Sequence, residues 1–137
     1  HNIEHLYPHE VPVALSEFRR VLKPDGFVLL TCPDLQPVCA RVAEDQLVSL
    51  LYQSGMGPIT PLDILYGHRQ SMKAGNLYMA HRCGFTKKVL AATFALAGFD
   101  SGVKVRPNVF DLWVVGTKPS ADNSDRLKQL CELYLPS

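Results

Sequence analysis

No two of the four cysteines, Cys32, Cys39, Cys83 and Cys131, are spaced as C-x-x-C, which excludes a zinc ribbon or a thioredoxin-type motif. Disulfide frameworks serve smaller secreted chains that lack a core, so the expectation is four free thiols in a reducing, cytoplasmic setting. No apolar run approaches the ~18 residues of a membrane helix, and no secretory leader is expected. Blocks of like charge are absent too: 14 Lys+Arg stand against 13 Asp+Glu, which argues against a polybasic surface for nucleic acid or membrane. There is no internal repeat and no G-x-G-x-x-G loop for a dinucleotide phosphate.

What is present is ordinary globular material. With 47% hydrophobic and 20% charged residues in 137, the chain carries too much apolar surface to stay disordered, and its length allows one domain at most. It opens on His1-Asn2-Ile3-Glu4-His5, without an initiator Met, and leads directly into a helix-entry pattern. The expectation is a piece of a longer domain.

Val11, Ala14, Leu15, Phe18, Val21 and Leu22 recur at helical spacing, predicting a helix over Glu10–Leu22. Pro12 suits its first turn, and Pro24 with Asp25-Gly26 ends it. Phe27–Cys32 is a continuous apolar run between Gly26 and Pro33, the pattern of a strand buried on both faces of a parallel sheet. Asp34 is placed to cap a following helix, predicted from about Val38 to Tyr52. The glycine- and proline-rich stretch over 55–85 reads as an irregular insert with one short helix near Leu62–Tyr66. Thr86 is a candidate N-cap for a helix through Ala97, with Gly98 just past its end. Ser101–Arg106 and Phe110–Thr117 read as strands joined by Pro107-Asn108. A polar link over 120–124 leads to a last helix striped with Leu127, Leu130, Cys131 and Tyr134. The order predicts an α/β fold: a mixed sheet with a C-terminal antiparallel strand pair and helices on both faces.

Asn2-Ile3-Glu4-His5-Leu6, then Glu17-Phe18-Arg19-Arg20-Val21-Leu22-Lys23-Pro24-Asp25-Gly26 with its following strand, and Ala97-Gly98-Phe99 before two strands, resemble the later half of class I S-adenosylmethionine-dependent methyltransferases of the type 11 kind. Asp25 departs from the commoner glycine at that turn. The likeness runs from about residue 2 to 118. It implies a partial Rossmann-like methyltransferase fold over 1–119, with 55–85 as a substrate-side insert and 120–137 as linker and C-terminal helix. It also implies what is missing: the Gly-rich loop and the acidic residue that takes the ribose diol. Residues 1–137 alone are therefore expected to bind S-adenosylmethionine weakly or not at all.

On this resemblance Glu4 and His5 are the candidate catalytic residues, and Asn2 and His5 would face the cofactor. A histidine titrates near neutrality and can relay a proton, although methyl transfer depends mostly on alignment. His68, Arg69 and His81 in the insert are candidate contacts for a small-molecule acceptor, Arg69 through its planar fork. Tyr66, Tyr78 and Phe85 are read as packing. Independently, His1-Asn2-Ile3-Glu4-His5 fits the inverted zinc-protease pattern H-x-x-E-H, a remote metallohydrolase alternative. Pro8 interrupts that helix and no third ligand is identifiable, so no metal is expected. A further alternative is non-catalytic: one edge of Phe27–Cys32 is expected to lack a partner, and a bare apolar edge is a template for strand pairing, predicting a homodimer.

Overall fold

The computed structural model describes residues 1–120 and 123–136; of the predicted linker, residues 121 and 122 lie outside the described residues. A short 3-10 turn at Ile3–His5 precedes α1 (Val11–Val21) and β1 (Phe27–Pro33). Then come α2 (Leu35–Ala43), the hairpin β2 (Tyr52–Ser54) and β3 (Gly57–Ile59), α3 (Pro61–Tyr66), α4 (Arg69–Lys73) and a 3-10 turn at Leu77–Met79. The chain continues through α5 (Lys87–Leu96), β4 (Asp100–Arg106), β5 (Asp111–Thr117) and α6 (Asn123–Tyr134).

The main sheet runs β1-β5-β4. Both pairings are antiparallel, Leu30 opposite Val114 and Val103 opposite Val114, and among the described residues parallel character is limited to a bridge between Asp34 and Phe85. Burial of the β1 run on both faces is therefore not observed: Leu30 and Cys32 are buried, whereas Leu29 is 40% exposed. The apolar run records one buried face plus a half-covered one. Arg106 and Asp111 close the β4–β5 hairpin with an ion pair of 2.7 Å, and Phe110 leaves the strand at φ +56°.

Helices cover both faces. Val11 and Leu15 of α1 and Leu90 and Phe94 of α5 pack with Leu30, Cys32, Leu112 and Val114. Full burial of each such side chain is worth roughly 1.5–3 kcal/mol. On the other face, α6 sets Cys131 against Gly102, where a Cβ would collide with its sulfur, and Tyr134 against the Phe27 ring. The predicted caps are in place: the Asp34 carboxylate accepts from the Gln36 amide at 3.2 Å, the Thr86 hydroxyl from that of Val89 at 3.4 Å, and Gly98 takes φ +81°.

Two expectations need correction. The helix predicted to Tyr52 ends at Ala43, because Asp45 turns left-handed at φ 60°. The stretch read as irregular has the expected short helix as α3 but is more ordered than expected, adding a hairpin and α4. It carries a second small core, in which Val38, Ile59 and Ile64 pack with Leu35, Leu51, Tyr52, Leu65 and Phe110. All four cysteines are free. No helix of the described residues is long and apolar enough to cross a membrane.

Candidate functional site

Glu4 is a carboxylate at 1% exposure, which requires compensation, because a buried charge left unpaired is costly. Its Oε2 accepts from the Asn2 amide at 2.7 Å and its Oε1 lies 2.7 Å from His1 Nδ1. Burial acts to raise its pKa, but the bond to His1 and the backbone N–H groups of Glu4 and Asn2 outweigh it and hold the carboxyl below its usual value. The same bond raises His1 against the opposing effect of its own burial.

The Glu4 carbonyl accepts from the amides of Arg82 (2.8 Å) and Cys83 (3.3 Å), and the Cys83 thiol donates to the Ile3 carbonyl at 3.1 Å. These bonds tie the N-terminal turn to the segment entering α5. They bring His81 to His5: the rings meet edge to face with centroids 4.9 Å apart. Each ring is held through Nδ1 by a backbone carbonyl, His5 by Ala80 at 3.2 Å and His81 by Ile64 at 2.6 Å. A carbonyl only accepts, so both Nδ1 atoms carry a hydrogen, and in the neutral ring the lone pair is on Nε2. His5 Nε2 lies 3.9 Å from Glu4 Oε1. Burial lowers the pKa of His81, disfavouring its charged form. Beneath the cluster, burial pushes the Cys32 thiol far up, leaving it protonated and inert.

Of the sequence candidates, Glu4, His5 and His81 come together. Asn2 contributes its backbone amide to Glu4, while its residue lines a groove of about 500 Å³ along the β1 edge with His1, Phe18, Leu29 and Trp113. His68 and Arg69 sit elsewhere, in a pocket of about 280 Å³ with Thr60, Asp63 and Lys73. There the Arg69 fork grips Asp63 through Nε (2.8 Å) and Nη2 (3.1 Å), and His68 Nδ1 is 2.8 Å from Ser71 Oγ. Of the three aromatics read as packing, Phe85 is buried, but Tyr66 and Tyr78 are 62% and 86% exposed.

The H-x-x-E-H geometry is not formed. The motif requires two histidines one turn apart on an α-helix. Here Ile3–His5 is a single 3-10 turn, and His1 is engaged with the glutamate itself. Cys83, expected only as a free thiol, also latches the turn through the Ile3 carbonyl.

Searches of family models, of curated proteins and of solved structures find no match to this chain.

Proposed function

We propose that this chain is the C-terminal part of a class I S-adenosylmethionine-dependent methyltransferase acting on a small-molecule acceptor. The observation that carries the reading is the sheet order: the last strand lies antiparallel between β1 and β4. The resemblance implies such a neighbour, the last strand lying beside the strand that matches β1. The Glu4–His5 turn lies near the carboxyl end of β1, next to Cys32, the end where open α/β sheets keep their ligands.

The residues of this chain do not fit the cofactor by themselves. The groove beside β1 is lined by apolar side chains with His1, Asn2 and Thr31, and has no carboxylate for a ribose diol. Among the described residues no glycine lines it. What the chain offers is the acceptor side: the Nε2 lone pair of His5, steadied at Nδ1 by Ala80 and set beside Glu4, suits taking a proton from a hydroxyl or amine.

Calorimetry tests this. Residues 1–137 alone should show no micromolar binding of S-adenosylmethionine, and a chain extended upstream into a Gly-rich strand–helix unit should show it. Micromolar binding by the 137 residues alone, or upstream sequence without such a unit, refutes the reading.

A second reading is self-association without catalysis. Among the described residues β1 pairs with β5 only, so its other edge is unpaired beside an apolar groove that includes the exposed Leu29. Such edges recruit strands. Sedimentation should then show a dimer that Leu29→Lys dissociates; a wild-type monomer at 100 μM-scale loading (roughly 1.5 mg/mL for a chain of this size) counts against it.

A further inference from the structure

Glu4, His5 and His81 each present one donor atom, and these atoms all lie within 4.8 Å of one another. Of these, His5 Nε2 and Glu4 Oε1 are 3.9 Å apart. Three ligands around a tetrahedral zinc at about 2.0–2.2 Å stand roughly 3.3–3.5 Å apart, so closure asks for rotamer adjustments on the order of 1 Å. His5 has room to make them, its side chain being 24% exposed, while Glu4 is held at 1%.

The surroundings match what metal-ligating histidines require. Each ring donates Nδ1–H to a backbone carbonyl, which leaves Nε2 as the ring atom available to ligate a metal. The carboxylate is oriented in turn by the Asn2 amide and by His1. Two imidazoles and one carboxylate favour a first-row transition ion over Mg²⁺ or Ca²⁺, which prefer oxygen ligands throughout.

We propose that Glu4, His5 and His81 form a Zn²⁺-type binding site with three protein ligands and an open fourth position for water. The site draws its third ligand, His81, from a segment distant in sequence and differs from the H-x-x-E-H pattern in two roles: Glu4 is a ligand and His1 supports it, while His5 stays a ligand. It uses the same His5 Nε2 that the methyltransferase reading assigns to proton transfer, so a bound ion and that role exclude each other, and its test does not depend on S-adenosylmethionine.

The test is direct binding to the full 137-residue chain stripped with chelator. Zn²⁺ is titrated against a chromophoric competitor, and Co²⁺ is followed by its visible absorption. One equivalent should bind, with a tetrahedral Co²⁺ spectrum and a rise in Tm on adding Zn²⁺. His5→Ala and His81→Ala should each weaken binding at least about tenfold. His81→Gln and far-ultraviolet circular dichroism guard against loss of fold. Cys83→Ser should keep the affinity. The proposal is overturned if the wild type binds no stoichiometric Zn²⁺, if folded His5 and His81 variants bind as tightly as wild type, or if Cys83→Ser removes the site.

Discussion

Replacing Asp63 should cost far more than replacing its partner Arg69, although the two form one ion pair. Asp63 is 5% exposed and Arg69 about half exposed. The Asp63 carboxylate accepts from the Thr60 amide (3.0 Å) and the Thr60 hydroxyl (2.7 Å) as well as from the Arg69 fork. Thr60 is the N-cap of α3 and is itself buried. Asp63→Ala therefore removes the cap reciprocity, worth about 1 kcal/mol. It also leaves the buried Thr60 groups short of an acceptor, at roughly 1–2 kcal/mol. The pair itself adds at most about 1 kcal/mol, because water screens the exposed guanidinium. The total is about 2–4 kcal/mol. Arg69→Ala leaves the Thr60 bonds standing and should cost about 1 kcal/mol or less.

Urea denaturation measures both, and native-state hydrogen exchange over residues 60–67 shows whether α3 opens by itself before the rest. Equal losses for the two variants would refute the argument, since they would place the stabilisation in the ion pair. The pH dependence carries the same logic with a definite sign. Burial acts to raise the Asp63 pKa, but the bonds from Arg69 and Thr60 prevail and hold it well below the ordinary value. A carboxyl depressed in the folded state contributes its full stability above the unfolded pKa of about 3.9 and loses it as the pH falls below that. Asp63→Asn should flatten this acid limb.

Phe94, fully buried against Gly116 and Phe99, should lose roughly 3–5 kcal/mol on replacement by Ala, read as a drop in the urea midpoint at unchanged slope. Gly67→Ala should cost at least about 2 kcal/mol. Gly67 has φ +101°, and a Cβ there would meet the backbone of Met79. The loss should show as faster exchange of the His81 amide, which is held by Tyr66 O across that bend.

The features legible in the sequence were those whose causes are local. The stripe on α1, the caps at Asp34 and Thr86 and the left-handed Gly98 each depend on residues within one or two turns, and the structure has them all. The overlong second helix failed because Leu47, Leu50 and Leu51 mimic a helical stripe. Of these only Leu51 joins the small core, beside a three-residue hairpin ladder that packs on α2 and α3, while Leu50 is exposed, and so short a ladder is marginal without tertiary support. Arg69 shows the same limit at the site. Its charge is visible in the sequence, but its partner is not: Asp63 is six residues earlier, outside the three- and four-residue spacings that pair charges on a helix. Only the bend at Gly67, between α3 and α4, turns the fork back onto the carboxylate. Read without that bend, Arg69 looks free to clamp a substrate. With it, most of the fork's donors are already committed to the fold. His81 is the converse case. Nothing in its own neighbourhood points to Glu4, yet two amides beside it, on Arg82 and Cys83, close on the Glu4 carbonyl and deliver the ring to His5. Main-chain bonds of this kind use groups that every non-proline residue carries, so they leave no trace in residue type.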